Sequence, residues 1–261
     1  MQGCFFMKTK TAVITGASSG IGMEFARAFA KMGYSLILTA RRKDRLEKLS
    51  SELSVPCEII VSDLSNELEC YQLWEKISHR GINVFINNAG FGTCGNFQDT
   101  DLAKEVSMIN VNIRAMHILF KKVLQKMKVQ GYGRILNVAS SAGLLPAGPY
   151  MATYYATKAY VTSITQAVAQ ELKEEGSKIY VGALCPGPVD TEFNEMADVI
   201  FALKGITPKY CVKEALMGMK KRKVIIVPSL KMKICVMGQK LLPKQSLFKI
   251  VAMQQKKKTK N

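Results

Sequence analysis

Short apolar runs alternate with longer amphipathic stretches along most of this chain, and that alternation limits its fold more than any other feature. The runs are TAVIT (11–15), SLILTA (35–40), CEIIVS (57–62), NVFIN (83–87), RILNVA (134–139), IYVGAL (179–184) and VIIVP (224–228). Stretches with helical spacing lie between them, such as IGMEFARAFAKMG (21–33), which ends on the C-capping Gly33. Seven such strands with intervening helices predict parallel β-α-β units, hence an α/β, Rossmann-like, doubly wound sheet with helices on both faces. Sheets of this kind bind ligands beyond the carboxyl ends of their strands. Functional residues are therefore expected just after each strand.

With 261 residues, 48% of them apolar, and no internal repeat or long linker, one domain over 1–261 is expected. Met7 reads as a start, so residues 1–6 are expected to be an extension. Seven cysteines without a CxxC pair point to reduced thiols in the cytoplasm rather than to disulfides or a zinc cage. His79 and His117 lack a third partner at ligand spacing, so no metal is expected, and a Ser-His-Asp hydrolase is poorly supported. No apolar run approaches the roughly 20 residues that span a bilayer. The net charge of +17 is uneven: from Lys204 onward there are sixteen Lys/Arg and a single acid, Glu214.

After the first run comes TGASSGIG (15–22). Gly16, Gly20 and Gly22 allow a tight turn, close approach of backbone to a pyrophosphate, and close helix packing. The helix that follows offers free N–H groups and a positive dipole end to phosphates. This turn resembles the cofactor turn of the short-chain dehydrogenase/reductase family. NNAG (87–90), the Y-x-x-x-K of YYATK (154–158) and CPGPVDT (185–191) resemble further motifs of that family in its own order. The resemblance runs from about Thr9 to Thr191. It implies a nicotinamide dinucleotide held by Gly16, Ser18, Ser19, Gly20, Ile21 and Gly22. Asp63 and Leu64 would lie at the adenine, followed by Asn88, Ala89 and Gly90, then Tyr154 and Lys158, and finally Pro186, Gly187, Val189 and Thr191. Capping of the helix after Asp63 by Ser65 or Asn66 is a separate local role.

The second run ends in Ala40, Arg41 and Arg42. NAD-preferring folds carry an acid here, whereas an arginine suits a 2′-phosphate. NADP(H) is therefore expected over NAD(H), with Arg41 as the contact, against the alternative of two solvated arginines opening a helix.

Four residues apart on one helix, Tyr154 and Lys158 share a face, whereas Tyr155 points towards Ala159. A cation about 4 Å from the phenol would favour the phenolate by up to roughly 4 kcal/mol at an effective dielectric near 20. The phenol's pKa is thus expected to fall towards working range. By resemblance, Tyr154 is the general acid or base and Lys158 also binds the nicotinamide ribose. Tyr150 falls on the same helical face, and Tyr155 and Tyr160 read as packing or substrate-wall residues. For the substrate-orienting serine, the motif favours Ser140, while the usual distance to the tyrosine fits Ser141; a one-residue insertion in LLPAGPYMA (144–152) would reconcile the two. The resemblance selects Asn112 over Asn110 as the fourth member, which holds a water beside the lysine.

The stretches 90–97 and 143–151 would form apolar walls, with Phe193, Met196, Val199, Ile200, Phe201 and Leu203 closing over them as a flap. They suit a medium-sized hydrophobic ketone, aldehyde or alcohol. A homodimer or homotetramer is implied by the family. The basic C-terminal segment, taken as a tail over about 244–261, has three readings: solvated surface, peripheral attraction to an anionic membrane, or steering of an acidic partner. Nucleic acid is not expected, since the segment holds one aromatic, Phe248. A cofactor-binding sensor or scaffold without turnover, or an interaction protein organised by the basic tail, is the rival reading to an enzyme.

Overall fold

The computed structural model describes residues 10–193 and 205–256. The proposed extension 1–6, Met196, Val199, Ile200, Phe201 and Leu203 of the flap, and the last five residues lie outside them.

Seven strands form one parallel sheet: β1 (Thr11–Thr15), β2 (Ser35–Ala40), β3 (Cys57–Val61), β4 (Val84–Asn87), β5 (Arg134–Val138), β6 (Tyr180–Leu184) and β7 (Ile225–Ile226). Their order is β3-β2-β1-β4-β5-β6-β7, so the chain reverses its direction of travel between β1 and β4. The expected strands are all present, although the seventh shrinks to two residues. Among the described residues the α-helices are α1 (Gly20–Lys31), α2 (Lys43–Ser51), α3 (Glu67–Ser78), α4 (Leu102–Ile109), α5 (Met116–Gln130), α6 (Ala152–Glu174), α7 (Pro208–Lys220), α8 (Leu230–Gly238) and α9 (Lys244–Lys256).

Strand periodicity splits the core into two layers. Val13 of β1 and Phe85 of β4 pack with Leu73 of α3, Leu119 of α5 and Val161 of α6 on one face. Ala12, Ile14, Val84 and Ile86 pack on the other with Phe25 of α1, Leu49 of α2 and Val212 of α7. Gly33 follows the end of α1 at φ 75°, a left-handed position that favours glycine. Asn66, not Ser65, caps α3, accepting from Leu68 N–H at 3.0 Å.

A third, smaller apolar cluster lies at the carboxyl end of the sheet. It joins Met108, Ala142, Met151, Tyr154 and Tyr155 to Val251 of α9. The segment read as a tail thus contains a helix whose Leu247, Val251 and Gln255 are buried, at i, i+4 and i+8 on one face. Its outward side carries Lys244, Lys249 and Lys256 together with Ile250 and Met253. The separation of a basic tail from a neutral catalytic body does not hold in three dimensions.

Candidate active site

A cavity of about 440 Å³ opens at the carboxyl ends of the strands, beside the reversal between β1 and β4. Of the site residues expected from the sequence, all but Gly22 and Asn112 line it. Those two stand immediately behind its wall.

Gly22 sets the tightness of the turn between β1 and α1. A Cβ there would lie 2.3 Å from Gly16 O and 2.6 Å from Asn88 Nδ2. Asn88 fastens the turn, its Nδ2 donating to Thr15 O at 2.9 Å and Gly16 O at 3.1 Å. Thr15 Oγ1 in turn accepts from the N–H groups of Asn88 and Ala89. Ser19 starts α1 without any side-chain cap bond, and the first turn carries no acid. That helix end is suited to an anion.

At the same end of the cavity stand Arg41 and Arg42. Sequence reasoning singled out Arg41, but Arg42 is the more firmly placed. Its Nε and Nη2 lie 3.4 and 3.3 Å from Ser18 Oγ, and its Nη1 is 3.0 Å from Glu192. Glu192 also pairs with Arg45. Burial opposes charge on Glu192, but its bonds to Arg45 and Arg42 outweigh that and hold its carboxyl below the usual range. Asp63 Oδ1 accepts from Ser65 N–H at 3.0 Å, which fixes the carboxylate at the cavity rim.

Further in, α6 presents Tyr154 and Lys158, both buried. The Lys158 ammonium lies 5.9 Å from the centre of the Tyr154 ring and donates to Val138 O at 2.9 Å. It is therefore directed at the end of β5 rather than at the phenol oxygen. Burial pushes the phenol up to about 12, with a hydrogen bond from Ser140 opposing the rise. Burial likewise pulls the lysine down to about 8, and the nearby Cys185 works against that fall. The Tyr154 phenol is thus shifted opposite to the expected direction, because loss of water dominates at both groups while the lysine is bonded to Val138 O. At neutral pH the phenol keeps its proton.

Both serines line the cavity, and Ser140 is the one that bears on the titration of the phenol. Ser140 caps the short turn Ser141–Gly143, accepting from Ala142 N–H at 3.1 Å, and its hydroxyl lies 3.5 Å from Pro186 O. Ser141 is tied through its backbone to Pro186 O at 2.7 Å. The loop before α6 carries Tyr150 at φ 65°, a left-handed conformation unfavourable for a tyrosine. Tyr150 precedes the helix, so it does not share the helical face expected for it.

Asn112 lies in a π-helical segment, Asn110–Ala115, that joins α4 to α5. Its Nδ2 donates to Phe91 O at 2.9 Å and to Thr157 Oγ1 at 3.0 Å, and its Oδ1 accepts from Phe91 N–H at 3.1 Å. The amide ties the loop after β4 to α6. A Cβ on Gly90 would lie 2.8 Å from Asn112 Oδ1 and 3.2 Å from Lys158 Nζ, so both groups converge on that glycine.

The remaining wall is apolar, with Phe91, Leu145, Met151, Phe193 and Met232. Tyr155 lines it too, with its hydroxyl bonded to Gln255 Nε2 at 2.5 Å. Tyr160 lies elsewhere, bonded to His117 Nδ1 at 2.7 Å. Met232, Gln254 and Gln255 were missed in the sequence. The only local signal was the i, i+4, i+8 spacing of Leu247, Val251 and Gln255.

The short chain dehydrogenase family model matches residues 10–198. This chain belongs to that family. An uncharacterized oxidoreductase of Staphylococcus epidermidis is 34% identical over 194 residues, covering 74% of this chain and 83% of that protein. The structure of a short-chain dehydrogenase from Sphingobium yanoikuyae in complex with NADPH superposes with a TM-score of 0.80 at 31% identity, covering 92% of this chain and 95% of the other. A bulky-bulky ketone specific alcohol dehydrogenase from Comamonas testosteroni gives a TM-score of 0.75 at 28% identity, covering 92% and 96%. Membership makes this chain an oxidoreductase with a Rossmann-like fold and supports a nicotinamide cofactor.

Proposed function

We propose that the protein is an NADP(H)-dependent carbonyl reductase or alcohol dehydrogenase acting on a medium-sized hydrophobic substrate. The observation that carries this reading is that Tyr154, Ser140 and buried Lys158 line one cavity with the glycine turn and two arginines. When bound, the cofactor supplies or accepts the hydride. The chain supplies geometry and a proton.

In the reducing direction Ser140 donates a hydrogen bond to the carbonyl oxygen, and Tyr154 delivers its proton to that oxygen as it becomes an alkoxide. A phenol held protonated by burial suits that role. Lys158 and Asn112 position the site. The lysine fixes the end of β5 through Val138 and offers its remaining donors to the ribose, while Asn112 holds the loop that carries Gly90 and Phe91. Arg41, with Arg42 beside Ser18, forms the 2′-phosphate end and favours NADP(H) over NAD(H). A 2′-phosphate there would compete with Glu192 for Arg42.

The apolar walls support a bulky ketone or its alcohol, as does the specificity named for the Comamonas neighbour. A cytoplasmic location is proposed from the seven scattered cysteines, which include no CxxC pair. Family habit supports a homodimer or homotetramer. A panel of ketones, aldehydes and alcohols, followed at the nicotinamide absorbance with NADPH and NADH, tests the proposal. Absence of turnover across hydrophobic carbonyl compounds with both cofactors would overturn it.

A further inference from the structure

The helices that close the far side of the cavity also carry an outward face that the core does not use. On α8, Leu230, Ile234 and Met237 are 69%, 63% and 70% exposed, and Leu241 in the following turn is 87% exposed. Their spacing of four, three and four puts them in one stripe along the helix. A helix usually turns such a stripe into the core. Here the opposite side does so, through Met232, which is buried and lines the cavity. On α9, Ile250 and Met253 are likewise exposed, while Leu247 and Val251 point inward.

Charge accompanies this apolar surface. From Ala215 to Asn261 the sequence holds thirteen Lys/Arg and no acid. Lys231, Lys244 and Lys249 are exposed on α8 and α9, and among the described residues none of them takes part in an ion pair. No helix among the described residues is long and apolar enough to cross a membrane. Exposed apolar side chains within a wholly cationic segment suit a surface that lies on a bilayer rather than in it.

We propose that α8 and α9 dock this protein on the surface of an anionic lipid bilayer, with the stripe Leu230, Ile234, Met237 and Leu241 entering the headgroup boundary and the flanking lysines facing lipid phosphates. A second copy of the chain would bring the same acid-free segment against itself, and like charge opposes that contact. A polyanion without apolar depth would leave the stripe in water. The docked face is the outer side of the cavity's roof, since Met232 and Gln255 line the cavity from the same two helices. Docking does not depend on the chemistry proposed for the cavity.

Sedimentation of the full chain with vesicles tests this. One set is phosphatidylcholine alone; the other is phosphatidylcholine doped with phosphatidylglycerol. Binding is expected only to the anionic set at about 0.1 M salt and is expected to weaken strongly at about 1 M, where the screening length falls to about 3 Å. The variant Leu230→Ser/Ile234→Ser/Met237→Ser keeps every charge, alters only exposed positions, and should lose at least about tenfold in partitioning. Lys231→Glu/Lys244→Glu/Lys249→Glu should lose about fivefold or more per lysine. Thermal unfolding confirms that each variant is folded, and if the serine variant is not, the charge variant decides. Failure of the unmodified protein to bind anionic vesicles at low salt overturns the proposal, as does unchanged binding by the variants. Dissociation of a larger assembly by the serine variant without lipid would assign the stripe to a contact between copies and overturn it equally.

Discussion

Tyr154 and Tyr155 are adjacent, both are buried, and burial pushes both phenols up to about 12, yet the structure assigns them opposite consequences when the hydroxyl is removed. Tyr154→Phe removes the hydroxyl proposed to deliver the proton. Ser140 keeps its bond from Ala142 N–H, and Tyr154→Phe exposes no new buried donor of comparable cost. Stability should change little, NADPH affinity should hold, and turnover should fall by about 10²–10⁴-fold or more, the usual contribution of a general acid. Tyr155→Phe removes the partner of Gln255 Nε2, and Gln255 Oε1 is already buried without one. An entire amide would then lie buried and unpaired, at a cost of about 1–3 kcal/mol. For a chain of this size each kcal/mol lowers the unfolding midpoint by about 2–4 °C, so a drop of about 2–12 °C is expected with kcat of the wild-type order. Thermal unfolding, NADPH titration and steady-state turnover on the same three proteins separate the two outcomes. Equal turnover in the two variants would refute the assignment of the proton to Tyr154. A Tyr155→Phe protein as stable as the wild type would refute the claim that Gln255 depends on that hydroxyl.

Replacing Arg41 and Arg42 together by Ala should erase the preference for NADPH over NADH, read as the ratio of the two dissociation constants; equal affinities in the unmodified protein would already refute the assignment. Lys158 is pulled down to about 8 from 10.5, so its ammonium is present below about pH 8 and lost above it; NADPH should bind more weakly as pH rises through 8. Over the window from about 8 to 10.5 the unfolded chain holds a proton that the folded one lacks, so the Lys158 contribution to stability rises with pH there, measurable as a urea midpoint against Lys158→Met. Gly22→Ala forces a methyl against Gly16 O and Asn88 and should cost about 1–3 kcal/mol together with cofactor affinity, checked by unfolding and NADPH titration. Removal of 244–261 should leave NADPH binding intact, because that segment holds none of the expected cofactor residues, but should raise KM by opening the wall that Gln254 and Gln255 line.

Most of the frame follows from local pattern. The short, nearly continuous apolar runs define the strands, and the helical spacing between them points to parallel crossovers, so a doubly wound sheet with its site at the carboxyl ends follows from chain order. The pairing of Tyr154 with Lys158 on one face of α6 is legible for the same reason, since four residues make one helical turn. What the sequence left open depended on contacts between distant segments. The motif favours Ser140 and the distance to the tyrosine favours Ser141, and which hydroxyl bears on Tyr154 depends on how the intervening loop folds. The direction of the phenol's pKa depends on how much water the assembled walls exclude, and on Val138 holding the lysine, neither of which a spacing reveals. Gln255 reaches Tyr155 across a hundred residues of chain, so a segment that reads as a charged tail becomes part of the site's wall. Helix and strand periodicities act over a few residues and are written in the order of side chains. Burial, by contrast, is a property of everything that surrounds a group, and it comes into being only when remote segments meet.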